Sequence, residues 1–346
     1  MTTYDISLLV GDGIGPELSD CVERVLHEIH DRSSCIRFTI GKVEAGDNAL
    51  KNFGKALPDE TFEKIKESQA CLKSPVGESA ADVVLVLRRY FDLYANVRPS
   101  KNYANIDSIS TNVDLITVRE NTEDLYLGWE FLSDEDTAIS LRKISRFASQ
   151  RIAKHAFEVA MKRNRKKVTI VHKSNVLRIS DRLFIEASRE ISKQYPEVEF
   201  EEMYVDACAM ELIRRPTRFD TILTTNLFGD IISDEAAQVT GSIGLAPAAN
   251  IGEKFAMFEP VHGAAFDIAG KNIANPTSFI LALKMMFDWL GQKYNDRKLI
   301  NQASKVEKVI DDLFKANVKT KDIGGKFSTI EFNQILMNNL NEIGYE

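Results

Sequence analysis

Short aliphatic and β-branched runs recur along this chain, each followed by a stretch whose apolar residues fall at helical spacing. That alternation constrains the fold more than any other feature, because strands and helices in turn build a largely parallel sheet covered by helices. The first run spans residues 6–10, and Gly11-Asp-Gly-Ile-Gly-Pro-Glu17 follows it directly. Pro16 suits a first helical turn, and Leu18, Cys21, Val22, Val25, Leu26 and Ile29 then share one face. The pattern continues as a strand over 37–43, a helix near 61–66, and a strand over 70–73 that ends at Pro75. The fold class expected is α/β. A Gly-rich turn between strand and helix can present backbone N–H groups to an anion. Here, however, the spacing is G-x-G-x-G rather than the dinucleotide fingerprint G-x-G-x-x-G, and a turn used only for close packing explains Gly11 and Gly13 equally well.

The 346 residues suffice for about two domains and a sizeable core. With 44 Lys and Arg against 51 Asp and Glu, the net charge of −7 argues against a nucleic acid or an anionic membrane as the main partner. Cys21, Cys35, Cys71 and Cys208 show no metal-binding or paired spacing and read as reduced thiols. No signal-like N-terminus and no apolar run of membrane-spanning length is present, so the expectation is a cytoplasmic protein.

Chemistry concentrates at the ends of the apolar runs. After the run 219–223 comes Thr225-Asn-Leu-Phe-Gly-Asp-Ile-Ile-Ser-Asp-Glu235, in which Asp230 and Asp234 share a helix face. Such a pair is either a solvated face or an oxygen site for a hard ion such as Mg2+ or Mn2+. Arg88 at a helix end, Arg98 at the end of the next strand and Arg119 after the run 113–118 suggest a clamp for carboxylates. Tyr126 is a packing residue or a proton donor, and Lys173, after the run 167–171, is placed to act as a base. Asp206 closes a strand over 200–205 as a third carboxylate. Gly241, Gly244 and Pro247 suggest a crossing between domains. The stretch 258–276 reads as a long polar loop in which Asp267 could accept the hydroxyls of an adenosine ribose. The remainder reads as helix.

Six motifs in this order resemble the β-decarboxylating dehydrogenases, which comprise isocitrate, homoisocitrate and 3-isopropylmalate dehydrogenases. They are Gly11-Asp-Gly-Ile-Gly-Pro-Glu17, Leu93-Tyr-Ala-Asn-Val-Arg-Pro99, Val118-Arg-Glu-Asn-Thr-Glu-Asp-Leu-Tyr126, His172-Lys-Ser-Asn175, Gly229-Asp-Ile-Ile-Ser-Asp-Glu235 and Glu259-Pro-Val-His-Gly263. The resemblance implies an open three-layer α/β/α fold that is not a Rossmann fold. It also implies a discontinuous first domain (1–97 and 241–346) and a second domain (98–240). By the same resemblance Arg88, Arg98 and Arg119 clamp the substrate carboxylates, and Tyr126 and Lys173 are the acid–base pair. Asp206, Asp230 and Asp234 bind Mg2+ or Mn2+, while His262, Gly263, Asp267, Ile268 and Asn275 hold NAD. Lys173 and Asp206 are expected to serve the site of a second copy, which makes the protein at least a homodimer. The implied reaction is oxidation of a 2-hydroxy acid followed by loss of its 3-carboxylate.

Within the family, the residues before Arg88 meet the group that differs between substrates. Isocitrate enzymes resemble a pattern with Ser and Asn where this chain has Asp82 and Val84, and homoisocitrate enzymes tend to place an arginine where it has Ala81. An aspartate among apolar neighbours suits an isopropyl group, so 3-isopropylmalate, a precursor in leucine biosynthesis, is the expected substrate and Asp82 is counted with the substrate residues. Glu120-Asn-Thr-Glu-Asp-Leu-Tyr126 pulls toward isocitrate and homoisocitrate enzymes. A non-catalytic regulatory subunit would have lost the tyrosine, the lysine or an aspartate, and all are present.

Overall fold

The computed structural model describes residues 2–33 and 35–343. One ten-stranded sheet runs through the molecule. Four of its strands come from the chain ends: β1 (Thr2–Leu9), β2 (Ile36–Val43), β3 (Ala70–Lys73) and β12 (Ala256–Pro260). The other six come from residues 95–251: β4 (Ala95–Lys101), β5 (Asp114–Glu120), β8 (Lys167–His172), β9 (Glu199–Tyr204), β10 (Thr221–Thr224) and β11 (Pro247–Ile251). The order is β2-β1-β3-β12-β11-β4-β5-β10-β8-β9. Both outer parts are parallel, whereas the pairings β12·β11, β11·β4 and β4·β5 are antiparallel. A separate hairpin, β6 (Glu130–Asp134) and β7 (Thr137–Ser140), stands apart from the sheet.

The three-layer arrangement follows from strands buried on both sides. Ile6 and Leu8 of β1 feed one apolar cluster and Leu9 another; Leu223 and Ile222 of β10 divide between two more. Successive residues of a strand point to opposite faces, so each face must be covered. Burying one such aliphatic side chain contributes roughly 1.5–3 kcal/mol. Helix α1 (Gly15–Arg32) and helix α9 (Thr277–Lys293) cover the first of these clusters, and α5 (Arg146–Met161) a later one.

The glycine turn before α1 is a packing device. Gly11 (φ +65°) and Gly13 (φ +55°) are left-handed, and a Cβ on either would stand 2.0 Å from the carbonyl oxygen of Pro75 or Ala264. The buried Asp12 carboxylate between them accepts N–H groups from Asp47, Asn48 and Gly77, which ties three loops together.

Several expectations are corrected. Asp206 does not close a strand: β9 ends at Tyr204, and Asp206 lies in the first turn of α7 (Val205–Arg214), favoured there by the helix dipole. Arg98 sits inside β4 rather than at its end. The stretch expected to be loop from residue 258 begins within β12, and the crossing after Gly244 contains β11. Helices α2 (Asp47–Phe53) and α6 (Ser180–Ser192) were not anticipated, nor was the β6–β7 hairpin.

Candidate active site

Antiparallel pairing of β4 and β5 sets Asn96 opposite Arg119 and Arg98 opposite Thr117, so both arginines rise from one face of the sheet. Helix α8 (Asn226–Thr240) crosses that face. Its Gly229 has no side chain because Arg119 needs the room, a Cβ there coming within 2.6 Å of the Arg119 Cγ. One turn of spacing then places Asp230 and Asp234 beside the guanidinium groups. Arg98 donates to Asp234 at 3.0 Å and to Ser233 at 2.9 Å, and its Nη2 lies 3.2 Å from Asp230. Arg119 is almost wholly buried; it pairs with Asp230, donates from Nε to Asn226 at 3.0 Å, and lies 4.8 Å over the Tyr126 ring. Its Nη2 is buried without a hydrogen-bond partner among the described residues. Tyr126 Oη donates to the other oxygen of Asp230.

A second cluster faces these groups. Glu259, at the end of β12, pairs with Lys73 at 2.8 Å and Arg88 at 3.4 Å, and accepts from Asn250 at 2.7 Å. Arg88 stands near the end of helix α4 (Ala80–Tyr90) and donates to the same Asn250, at 3.0 Å. Sequence reasoning missed Lys73, Asn250 and the partnership of Glu259, although Lys73 was visible as a charged residue ending a buried strand. Between the clusters lies a cavity of about 310 Å³, walled by Arg88, Arg98, Arg119, Tyr126, Asp230 and, on its apolar side, Val76, Ala80, Ala81, Val84 and Leu85.

The electrostatics follow from burial opposed by charge. Burial and the neighbouring Arg98 and Arg88 hold Arg119 down to about 10. For Glu259 burial pushes upward, but Lys73 and Arg88 outweigh it and leave the carboxyl at about 2. Burial also raises Asp230, yet Arg119 and Arg98 bring it below the usual carboxylate range. Asp234 stays raised, by burial and by the charge of Asp230 against the pull of Arg98. Burial lifts Tyr126 with help from its bond to Asp230, although Arg119 opposes, so the phenol keeps its proton at neutral pH.

Not every candidate converges here. Lys173 pairs with Asp206 at 2.7 Å, and no cluster of three or more His, Cys, Asp or Glu side chains suited to a metal forms among the described residues. Asp206 therefore does not join Asp230 and Asp234 within this structure. Asp82 is exposed on another side of α4, beside Lys55, Leu57 and Phe62, and is corrected as a cavity residue. Helical phase explains it: Ala81, Val84, Leu85 and Arg88 share one stripe, and Asp82 does not. His262 and Gly263 reach the cavity wall. Asp267 is exposed and Ile268 half-buried on the following loop, while Asn275 is buried and donates to Asp322 at 3.1 Å. No side-chain partner of Asp267 is present among the described residues.

The isocitrate/isopropylmalate dehydrogenase family model matches residues 5–336. The chain belongs to this family. It is thus an oxidoreductase with the family's fold, and similar proteins span its length. A 3-isopropylmalate dehydrogenase of Sulfurisphaera tokodaii is 48% identical over 97% of this chain and 99% of that protein. A homoisocitrate dehydrogenase of Methanocaldococcus jannaschii is 46% identical over 92% of this chain and 95% of its own length. The crystal structure of isocitrate dehydrogenase from Methylococcus capsulatus superposes with a TM-score of 0.90 at 38% identity, covering 97% of this chain and 99% of that one. No helix among the described residues is long and apolar enough to cross a membrane.

Proposed function

We propose that this chain oxidises 3-isopropylmalate with NAD and removes its 3-carboxylate as CO2, giving 4-methyl-2-oxopentanoate. The observation that carries the reading is the lining of the cavity. Arg98 and Arg119 reach it from β4 and β5 and Arg88 from α4, and the same helix brings Ala80, Ala81, Val84 and Leu85 to the wall beside Val76. The cations fit two carboxylates; the apolar wall offers no side-chain donor to a third and fits a branched alkyl group.

Asp230 and Asp234 present hard oxygen ligands side by side on α8, a set that suits Mg2+ or Mn2+ once Asp206 of the partner subunit is added. Such an ion, when bound, supplies Lewis-acid stabilisation of negative charge on the substrate oxygens. The chain's own groups do the rest. Arg88, Arg98 and Arg119 hold the carboxylates, and the free Nη2 of Arg119 is the donor left for one of them. Bound NAD would supply the hydride acceptor, and Lys173 of the partner subunit would take the proton of the substrate alcohol. Tyr126 Oη gives a proton to the carbon that has lost CO2.

His262, Gly263, Asp267, Ile268 and Asn275 are proposed to hold NAD. Gly263 has open space around its α-carbon, and the exposed Asp267 carboxylate suits a ribose diol and repels a 2′-phosphate. Asp267→Lys is accordingly expected to shift the NAD/NADP preference toward NADP by about tenfold or more. An unchanged ratio of kcat/KM values would remove the ribose role.

The cavity closes only in a dimer on this reading. Trp129, Phe131 and Leu132 on the hairpin, Met210 and Ile213 on α7 and Ile231 on α8 are large exposed apolar groups that a second copy would cover. The division of the chain into 1–97 with 241–346 and 98–240 is supported by the cores. One apolar cluster joins α1 to α10 (Arg297–Lys315) and another draws only on residues 113–236, while Ile106 joins the first and Ala95 packs with Val118 in a third across the boundary. Steady-state kinetics with 3-isopropylmalate, isocitrate and homoisocitrate test the substrate. The first is expected to give the highest kcat/KM, and faster turnover of either tricarboxylic acid overturns the choice.

A further inference from the structure

We infer that Arg142 is a positioning residue that locks together the three segments carrying Tyr126, Lys173 and Asp230. Its guanidinium lies outside the cavity wall and is mostly buried. Nε donates to Asp124 at 2.6 Å, Nη1 pairs with Asp181 and lies 3.1 Å from Ser180 Oγ, and Nη2 donates to Thr225 Oγ1 at 3.0 Å. The group also sits 5.3 Å over the Phe228 ring. Both carboxylates are wholly buried, and each has a second task.

Asp124 begins the short helical turn Asp124–Leu127 that carries Tyr126, and its Oδ2 accepts from Leu227 N at 3.2 Å in the first turn of α8. The same residue is held at φ +71°, a left-handed backbone uncommon outside glycine that aspartate tolerates better than most side chains. Asp181 Oδ2 accepts from Lys173 N at 2.6 Å, which fixes the backbone from which the lysine projects. Thr225 immediately precedes α8, on which Asp230 lies. A single cation thus fills the space between two buried anions, and each anion holds a main-chain N–H of a segment bearing a reacting group. Without it, two uncompensated carboxylates must find protons or water, and all three segments lose their common anchor.

The roles given to Tyr126 and Lys173 rest on the proposed function, so the test carries one readout that needs no substrate. Arg142→Met, Arg142→Lys and Asp181→Asn are compared with the unaltered chain by circular dichroism, steady-state kinetics per folded molecule and amide hydrogen exchange. Arg142→Met is expected to lower kcat about 100-fold with KM changed less than about threefold. Arg142→Lys retains one of the two pairs and recovers about tenfold of that loss. Exchange at the Lys173 and Leu227 amides accelerates by about tenfold or more in Arg142→Met. If Arg142→Met does not fold, Arg142→Lys and Asp181→Asn decide the matter on the same readouts. Folded variants with unchanged kcat overturn the inference, whether or not exchange accelerates, because a purely structural tie would lower only the folded fraction. If another hydroxy acid proves the better substrate, the substrate reading fails while the Arg142 comparison is made with that acid.

Discussion

Arg119→Met is expected to lower kcat/KM by about three orders of magnitude while leaving the ligand-free protein at least as stable as before. The two halves of this result come from one geometry. Arg119 is buried between Asn226, Asp230 and the Tyr126 ring, and its Nη2 has no hydrogen-bond partner among the described residues. It is the guanidinium proposed to donate to a substrate carboxylate. Holding it so is costly. Its pKa is pressed down to about 10 by burial and by Arg98 and Arg88, so at neutral pH the folded chain carries a charged group that it disfavours. The sign follows directly: a base lowered on folding destabilises the folded state wherever it stays protonated, here at all pH values below about 10, by an amount on the order of 3 kcal/mol. Methionine relieves that repulsion, and Arg98 still pairs with Asp230. Lysine at this position keeps the charge without the planar fork and should fall in between, about 100-fold below the unaltered chain. Thermal melting and steady-state kinetics on the same preparations decide it; activity within tenfold of the parent would show that Arg119 does not hold the substrate.

Two inactive variants should restore each other. Lys173→Met and Tyr126→Phe are each expected to reduce turnover by about 1,000-fold or more, since each removes a proposed proton-transfer group. If Lys173 serves the partner's cavity, a mixed dimer holds one site with both groups intact and one with neither. Random reassortment of equal amounts would then return about a quarter of the parental activity, because half the dimers are mixed and half their sites work. The separation of Lys173 and Asp206 from Asp230 and Asp234 within one chain motivates the experiment. No recovery after reassortment, with mixed dimers confirmed by native mass spectrometry, would place both groups in the same subunit's site.

The outer parallel strands were legible in the sequence because burial on both faces leaves unbroken apolar runs, as in Leu8–Leu9 and Ile222–Leu223. Arg88 and Arg119 stood out because a charged residue closing an apolar run has few structural uses, and Asp230 by its four-residue spacing from Asp234. The hairpin was invisible because every residue of β6 and β7 is exposed and neither strand alternates. Helix α2 is short, with Ala49 alone buried, which leaves no helical stripe to read. Helix α7 was hidden because Tyr204 and Val205 extend the apolar run of the preceding strand. Asp82 follows from the family position that isocitrate enzymes fill with serine, and helical phase turns it away from the cavity. The pairing of Lys73 with Glu259 lay beyond reach, since strand order alone brings β3 and β12 together.

The closed turn at Gly11 and Gly13 bears on how cofactor choice in this chain can change. Two main-chain carbonyl oxygens and a buried carboxylate already fill the space where other nucleotide-binding α/β proteins admit a pyrophosphate. An incoming phosphate would meet negative groups on every side, and any mutation opening the turn would unfasten three loops at once. If Asp267 holds the ribose as proposed, selection between nicotinamide cofactors rests on an exposed side chain beyond Ala264, which can be redesigned without disturbing the keystone of the fold.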